Sequence, residues 1–171
     1  MEEIKKRIRD VPDFPKPGIL FKDITPVLQD PVAFRGVIDR LADRYETSRP
    51  DAILAIEARG FILGAALAYR LGIGLAIVRK PKKLPWKTIR VEYALEYGTD
   101  ALEAHEDAVQ KGQRVVVVDD LLATGGTASA AVQLAHKLGA VVQECAFVIE
   151  LGFLDGRKKL APTPCFSLIQ Y

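Results

Sequence analysis

Two adjacent carboxylates, Asp119 and Asp120, stand just ahead of a short run of threonine and glycine residues. They follow four consecutive valines, Val115 to Val118, a run typical of a strand that is buried on both faces of a parallel sheet. An alanine-rich helix is predicted to begin at about Thr127. Because ligands of open α/β sheets bind beyond the carboxyl ends of the strands, this segment is predicted to line a ligand site.

The run from Ala123 to Thr127 has the properties of a phosphate-binding loop. Its backbone N–H groups, two hydroxyls and the helix N-terminus attract an anion, while Gly125 and Gly126 allow the backbone to wrap closely around it. Asp119 and Asp120 would repel a phosphate, so their position makes sense only if they accept hydrogen bonds from hydroxyl groups or face a metal ion. The pattern therefore predicts a sugar phosphate as the ligand.

Each half of this pattern has a simpler interpretation when it is taken alone. The two acids are then a solvated strand end, and the glycine pair is an ordinary turn; the combination of both is what favours a site. Competing phosphate motifs are missing, since the sequence has no Gly-x-x-x-x-Gly-Lys-Ser/Thr and Gly72-Ile-Gly74 lacks the third glycine of a dinucleotide fingerprint. Neither an NTPase nor a dehydrogenase is supported.

Strands and helices that alternate along the chain are predicted to position the site. Short apolar runs predict strands, and 3.6-residue periodicity with caps predicts helices. The strands are predicted at Asp51 to Ile56, Gly74 to Val78, Val115 to Val118 and Val142 to Ile149, and the helices at Pro31 to about Glu46, Phe61 to Leu71 and Thr127 to Leu138. This order indicates a single α/β domain with a mostly parallel central sheet flanked by helices.

Two further regions are predicted with other patterns. Ile4, Ile8 and Val11 recur at helical spacing and predict a short amphipathic helix that ends at Pro12, before a proline-rich ordered loop. Thr88 to Tyr97 is rich in β-branched and aromatic residues, which is compatible with a hairpin, whereas Thr99 is predicted to cap a helix through Lys111.

Composition limits the classes of partner. The 171 residues suit one domain, and a formal net charge of +2 gives no global field that would attract nucleic acid or a membrane. The sequence has no apolar stretch near the ~20 residues of a membrane span, so a cytoplasmic location is expected. One local cluster is strongly basic, comprising Arg79, Lys80, Lys82 and Lys83.

The segment Val115 to Thr127 resembles the phosphoribosyl-pyrophosphate signature of the type I phosphoribosyltransferases. Segments similar to the same family follow in the family's order along almost the whole chain: Phe14 to Leu28, Glu57 to Phe61, Arg79 to Pro85, Leu95 to Gly98, Val148 to Leu151 and Leu154 to Arg157. The resemblance implies the type I phosphoribosyltransferase fold, in which about residues 1–30 form a small N-terminal hood that binds the base and about residues 31–171 form the α/β core.

The resemblance also implies an activity. Such enzymes transfer the 5-phosphoribosyl group of phosphoribosyl pyrophosphate to a base and release pyrophosphate, with Mg²⁺ held mainly through substrate oxygens and with a homodimer as the assembly. The Phe21 segment and the Glu96 loop resemble those of the members that use adenine and make AMP. Hypoxanthine, guanine or xanthine as the base is one alternative, and a regulator that senses phosphoribosyl pyrophosphate without catalysis is another.

The same resemblance implies which residues bind the ribose phosphate and which bind the base. It implies that the two acids bind the ribose hydroxyls, with Asp120 also catalytic, and that the following loop holds the 5′-phosphate; the residues are Asp119, Asp120, Ala123, Thr124, Gly125, Gly126 and Thr127. Leu20, Phe21 and Lys22 match the segment whose backbone reads the adenine edge and whose aromatic ring stacks on the purine. For Phe21, an ordinary core position is the alternative.

Pyrophosphate is assigned to a second loop. Glu57, Ala58 and Arg59 match the family's pyrophosphate loop, which contains a cis peptide, here expected between Glu57 and Ala58; a solvated surface arginine is the alternative for Arg59. The basic cluster follows a buried strand, so its charges gather on the rim where an anionic substrate must sit. Arg79 and Lys83 are the members that we favour as pyrophosphate contacts, with a solvated side chain as the alternative for each.

Glu96 and Tyr97 match the mobile loop that closes over the substrates. The resemblance assigns Glu96 to the proton transfer that accompanies bond formation at adenine N9, and a solvated loop carboxylate is the alternative. Glu92 has similar sequence surroundings. The residues alone do not decide between the two carboxylates, and the match of Leu95 to Gly98 is the reason for choosing Glu96.

Overall fold

A five-stranded parallel sheet forms the centre of the computed structural model, which describes residues 1–94 and 98–171. The strands are β1 (Arg9–Pro12), β2 (Leu20–Asp23), β3 (Ala52–Ile56), β4 (Gly74–Val78), β5 (Thr88–Ala94), β6 (Thr99–His105), β7 (Arg114–Leu122), β8 (Val141–Glu150) and β9 (Cys165–Gln170). The helices are α1 (Glu2–Lys5), α2 (Thr25–Gln29), α3 (Pro31–Asp43), α4 (Arg59–Leu71), α5 (Gly126–Lys137) and α6 (Gly156–Leu160).

The central sheet has the strand order β4-β3-β7-β8-β9, and every neighbouring pair in it is parallel. Val115 to Val118 are fully buried, as the run of valines predicts, because successive side chains enter the two cores on opposite faces of the sheet. Helix α5 packs on one face, and α3 and α4 pack on the other. The predicted α/β fold with a parallel sheet flanked by helices is confirmed.

The predicted N-terminal helix is shorter than its apolar spacing suggests. It ends at Lys5, and Val11 lies in β1, which pairs antiparallel with β2 so that Val11 faces Phe21. An ion pair between Lys22 and Asp10, with Nζ and Oδ1 2.6 Å apart, joins the same two strands. Helical periodicity alone did not reveal this strand, because its formation depends on pairing with β2.

The predicted helix from Thr99 to Lys111 is wrong. Thr99 to His105 forms β6, which pairs antiparallel with β5 along its full length, from Ala94 opposite Thr99 to Thr88 opposite His105. The hairpin buries Leu102 on the core that α5 also covers. Its tertiary partner therefore overrides the helix propensity of the alanine, leucine and glutamate residues in the segment.

In the described ranges, no helix combines the length and the apolar character that a membrane crossing requires. The two cysteines, Cys145 and Cys165, are free thiols. Burial raises the pKa of Cys145 to about 12 and that of Cys165 to about 11. Both side chains are therefore protonated at neutral pH.

Candidate active site

Three neighbouring strands, β4, β3 and β7, run parallel, so their carboxyl ends meet at one edge of the sheet. Glu57 follows β3 and Arg79 follows β4, while Asp119 and Asp120 lie in the last part of β7. This topology brings together residues more than 60 positions apart in the chain. It is the arrangement in which ligands bind to open α/β sheets.

Asp120 and Arg59 form the most deeply placed ion pair at this edge. Arg59 Nε donates to Asp120 Oδ2 at 2.5 Å, and the carboxylate of Asp120 is almost completely buried. Asp119 accepts a hydrogen bond of 2.8 Å from the backbone N–H of Asp120. Burial, followed by the neighbouring Asp120 carboxylate, raises the pKa of Asp119 well above its ordinary value. These contacts hold the two acids in place. Additional hydrogen-bond donors or cations would stabilise the negative charge of their carboxylates.

The first turn of α4 approaches these acids very closely, because Gly60 has no side chain. A Cβ atom at Gly60 would lie 2.8 Å from the carbonyl oxygen of Val118 and 3.0 Å from Asp119 Oδ1. Glycine is therefore required for the packing of α4 on the end of β7. This contact places Arg59 over the carboxylate of Asp120.

The predicted phosphate loop connects β7 to α5. Gly125 has a φ of +79°, a conformation that favours glycine, and α5 begins at the next residue. Arg59 and residues 119–128 line a cavity of about 140 Å³ at this point. Loop backbone, helix N-terminus and a guanidinium group all border this small cavity, which suits a tetrahedral anion.

A larger cavity of about 990 Å³ opens beside the phosphate loop. The N-terminal strand β2 forms one of its walls through Leu20 and Phe21, and the guanidinium carbon of Arg59 lies 5.4 Å from the centre of the Phe21 ring. Lys22 belongs to the same wall, but its side chain is buried against Asp10, so only its backbone is available to a ligand there. The cavity has room for a purine next to the smaller phosphate cavity.

Glu57 lies between two of the predicted pyrophosphate contacts. Its carboxylate accepts hydrogen bonds from Arg79 Nε at 2.8 Å and from Lys83 Nζ at 2.6 Å. Burial acts to raise the pKa of Glu57, but the hydrogen bonds from Lys83 and Arg79 outweigh it and hold that pKa below its ordinary value. The Glu57–Ala58 peptide is cis, as the family resemblance implies. Arg79 and Lys83 are therefore brought together with this loop.

The side chain of Lys80 and the backbone of Lys82 contact the β5–β6 hairpin. Lys80 forms an ion pair with Asp100 and donates to the hydroxyl of Tyr93 at 2.7 Å, both in the β5–β6 hairpin. The backbone N–H of Lys82 donates to Glu103 Oε2 at 3.1 Å. The side chains of Arg79 and Lys83 therefore pair with Glu57, and that of Lys80 pairs with the hairpin.

Glu96 and Tyr97 lie outside the described residues. Ala94, the last described residue before them, lines the large cavity. The competing carboxylate, Glu92, is exposed and forms an ion pair of 2.9 Å with Arg90 on the same strand.

Sequence reasoning missed the wall of the large cavity that lies opposite β2. It comprises Leu151, Phe153 and Leu154, which lie between β8 and α6, and Lys159 of α6. Phe153 is 74% exposed, which is unusual for a large aromatic side chain. The sequence signals were the resemblances at Val148 to Leu151 and at Leu154 to Arg157, and neither carried an assigned role.

Comparisons with known proteins agree with this geometry. The phosphoribosyl transferase domain family matches residues 24–167. The adenine phosphoribosyltransferase of Roseiflexus sp. (strain RS-1) is 63% identical over 164 residues, which cover 96% of this chain and 95% of that protein.

Solved structures of adenine phosphoribosyltransferases are also similar to this chain. That of the Thermoanaerobacter pseudethanolicus ATCC 33223 protein superposes with a TM-score of 0.97 at 59% identity, covering 99% of each chain. That of the Saccharomyces cerevisiae protein, complexed with an imino-altritol bisphosphate and adenine, gives a TM-score of 0.93 at 40% identity and covers 98% of this chain and 97% of that one. The chain therefore belongs to the phosphoribosyltransferase family and, within it, to the adenine phosphoribosyltransferases.

Proposed function

We propose that the chain transfers the 5-phosphoribosyl group of phosphoribosyl pyrophosphate to adenine, giving AMP and pyrophosphate. Membership in the adenine phosphoribosyltransferases supports this activity. The observation that carries the proposal for the site is that Asp119 and Asp120 line a phosphate-sized cavity, which shares Arg59 and residues of the following loop with a purine-sized cavity. A ribose that spans the two cavities would carry its hydroxyls to the carboxylates.

We propose that residues 123–127 bind the 5′-phosphate and that Asp119 and Asp120 bind the ribose hydroxyls. The phosphate would accept hydrogen bonds from the backbone N–H groups at the start of α5 and from the threonine hydroxyls of the loop. The ribose hydroxyls would donate to the two carboxylates. Asp120 would also stabilise positive charge that develops on the ribose ring, because its buried carboxylate lines the cavity beside which we place the sugar.

Pyrophosphate is proposed to leave toward Arg59, Arg79, Lys83 and the cis-peptide loop at Glu57 and Ala58. The support is geometric, since these residues follow adjacent strands and both Arg79 and Lys83 already lie within 3 Å of one carboxylate, Glu57. The substrate's negative charge would compete with Glu57 for the two cations. Charge-assisted contacts of this kind stabilise the leaving group.

Mg²⁺ is the cofactor that we propose. Within residues 1–94 and 98–171, no group of three or more acidic, histidine or cysteine side chains is arranged to hold a metal ion. Two carboxylates beside a pyrophosphate and a ribose nevertheless fit Mg²⁺, because this ion takes few protein ligands and fills its remaining positions with substrate oxygens and water. Bound mainly through substrate oxygens, it would offset negative charge on the departing pyrophosphate.

The base is proposed to lie against Phe21, with the backbone of Leu20 and Lys22 at its edge. Adenine N9 attacks C1 of the ribose as the bond from C1 to the pyrophosphate oxygen breaks, through a transition state with oxocarbenium character. The N9 proton passes to Glu96. Closure of the loop that carries Glu96 and Tyr97 would exclude water, which otherwise competes as the nucleophile.

A homodimer in the cytoplasm is the proposed assembly and location. The support for the dimer is an exposed apolar face on α4 and the edge strand β4, formed by Ile62, Ala65, Tyr69 and Leu75. Residues 62, 65 and 69 share one side of the helix, and Tyr69 is 90% exposed. A second copy of the chain would cover this face.

The activity is tested by supplying purified protein with phosphoribosyl pyrophosphate, Mg²⁺ and one base at a time. Adenine, hypoxanthine, guanine and xanthine are compared, and the products are identified by chromatography. AMP from adenine, with the other three bases slower by at least two orders of magnitude, is the expected result. Preference for another base would overturn the proposed base site at residues 20–22, and no turnover with any base would favour a sensor of phosphoribosyl pyrophosphate.

A further inference from the structure

The phosphate loop packs backbone to backbone against the start of α6. A Cβ atom at Gly156 would overlap the carbonyl oxygen of Ala123, and one at Gly125 would overlap the carbonyl oxygen of Gly156. Both contacts are with main-chain atoms, which cannot rotate away. The position of Gly156 therefore sets how far the loop can move on the side that faces away from its ligand cavity.

A second set of contacts fixes α6 relative to the central sheet. Arg157, the residue after Gly156, donates from Nε to Glu150 Oε1 at 2.5 Å and from Nη2 to Glu150 Oε2 at 2.6 Å. Its Nη1 donates to the carbonyl oxygen of Cys165 at 2.7 Å. Ser167 and Gln170, both in β9, donate to the same Glu150 carboxylate. Glu150 is the last residue of β8, so the network joins two strands of the sheet to α6.

The residue that follows β8 also contacts the start of the phosphate loop directly. The backbone N–H of Leu151 donates to the carbonyl oxygen of Leu122 at 2.9 Å, and Leu122 is the last residue before the phosphate loop. The loop is thus held at its start by the residue after Glu150 and at its middle by the residue before Arg157. Neither Glu150 nor Arg157 lines either cavity of the site.

We propose that the Glu150–Arg157 ion pair is a positioning device for the 5′-phosphate loop. By fixing Gly156 against Ala123 and Gly125, the pair keeps the loop N–H groups aimed at one point before the substrate arrives. Preorganised donors of this kind bind an anion without an ordering cost at the moment of binding. The inference rests on the proposed placement of the 5′-phosphate at residues 123–127.

A matched control lies at the other end of β8. Arg44 and Glu144 form a second two-pronged pair, with Nε and Oε2 2.7 Å apart and Nη2 and Oε1 2.6 Å apart. In both pairs the arginine side chain is 43% exposed and the glutamate side chain is 7% exposed. Glu144 lies six residues before Glu150 on the same strand, so the Arg44–Glu144 pair is away from the phosphate loop. Loss of either pair should lower stability similarly, but only one of them supports the loop.

The test compares Arg157→Met with Arg44→Met in the full chain. Binding of ribose 5-phosphate is measured by calorimetry, the melting temperature by scanning calorimetry, and KM separately for phosphoribosyl pyrophosphate and adenine. We expect Arg157→Met to weaken ribose 5-phosphate binding about 10-fold and to raise KM for phosphoribosyl pyrophosphate, because a small displacement of binding groups has effects of this size. The KM for adenine should stay within about 2-fold. Arg44→Met should lower the melting temperature by a similar amount and leave both ligand readouts unchanged.

Equal ribose 5-phosphate binding by the two variants would overturn the proposal. If Arg157→Met does not fold, Arg157→Lys and Glu150→Gln provide the same comparison, since lysine retains the charge without the two-pronged geometry. Thr127→Val separates this proposal from the one on which it rests. Unchanged ribose 5-phosphate binding in Thr127→Val would place the phosphate elsewhere, whereas weaker binding there with no effect of Arg157→Met would refute the positioning role alone.

Discussion

Two carboxylates, Glu96 and Glu92, compete for the role of proton acceptor, and substitution distinguishes them. We expect Glu96→Ala to lower kcat by about 10²–10⁴, because a placed group that accepts a proton in the transition state contributes that much. Glu92→Ala is the control, since Glu92 is exposed and pairs only with Arg90 at 2.9 Å among the described contacts. Steady-state kinetics with saturating phosphoribosyl pyrophosphate measures both. A larger loss in Glu92→Ala than in Glu96→Ala would reverse the assignment.

Gly60 is a residue whose missing side chain defines the site. We expect Gly60→Ala to cost about 1–3 kcal/mol of stability, because the added methyl group overpacks a close contact. It should also raise KM for phosphoribosyl pyrophosphate, since its Cβ would lie 3.0 Å from Asp119 Oδ1 and 2.8 Å from the backbone at Val118.

The matched substitution is Gly74→Ala, whose Cβ would meet only Ala52 Cβ at 3.8 Å. Thermal unfolding and substrate kinetics are measured on both variants. A normal KM for phosphoribosyl pyrophosphate in Gly60→Ala would show that the end of β7 can shift without moving the carboxylates.

The network at the end of β8 gives the molecule a defined acid sensitivity. The hydrogen bond from Arg157 is the main cause that holds the pKa of Glu150 below its ordinary value of 4.5. A carboxyl whose pKa is lower in the folded state contributes its full stability above the unfolded pKa and loses it as the pH falls through the folded pKa. Glu150→Gln should therefore reduce the free energy of unfolding by about 1–2 kcal/mol at pH 7, allowing for the partial exposure of Arg157.

The difference between wild type and Glu150→Gln should shrink as the pH falls from 6 toward 3. Urea unfolding at several pH values measures it. Glu46→Gln removes an exposed carboxylate and should follow the wild-type curve. A constant difference across the pH range would mean that packing, and not the charge of Glu150, is what the substitution removes.

Helix α1 and strand β2 both contact Tyr171, the last residue of the sequence. Lys22 Nζ lies 4.0 Å from the centre of the Tyr171 ring, and Lys5 Nζ lies 4.6 Å from it. The backbone of Tyr171 exchanges hydrogen bonds with Glu150 and Gly152 at 3.0 and 2.9 Å. Tyr171→Leu keeps the backbone contacts but removes both cation–π contacts, each worth about 0.5–1 kcal/mol at an exposed site.

We expect Tyr171→Leu to raise KM for adenine by about 2- to 5-fold, the size of one such contact. The reason is that Lys22 neighbours Phe21, the proposed stacking residue, so a looser β2 presents a less ordered base site. KM for phosphoribosyl pyrophosphate should not change, because the phosphate loop is held by other contacts. Equal increases in both KM values would indicate a general loss of structure.

Elements with short-range signals could be predicted from the sequence, and those that depend on distant partners could not. The valine run and the Asp30 cap, which accepts hydrogen bonds from the N–H groups of Val32 and Ala33, fixed a strand and a helix start correctly. Residues 99–105 were predicted as a helix because their alanine, leucine and glutamate residues favour one, although β5, the strand directly before them, is their partner. The proposed phosphate loop could be identified as a candidate because its residues are contiguous, whereas Leu151 to Leu154 line the same cavity as β2 only after the chain has folded.

At the scale of the whole molecule, charge and shape point to self-association. The net charge of +2 leaves little long-range repulsion between copies. Edge strands invite pairing unless something covers them, and β4 is an edge strand of the central sheet. The exposed apolar face on α4 adjoins β4, as Leu75 Cδ1 would lie 3.5 Å from a Cβ atom at Gly64 on that helix.

Tyr69→Arg should therefore convert the proposed dimer into a monomer, because it places a charge at the centre of an apolar face that the second copy would bury. Light scattering after size-exclusion chromatography measures the mass. Val32→Arg is the matched control, since Val32 is 79% exposed but lies on α3, away from this face. A dimer that survives Tyr69→Arg but not Val32→Arg would place the interface at the start of α3 instead. Turnover by the monomer would then show whether one chain is sufficient for catalysis.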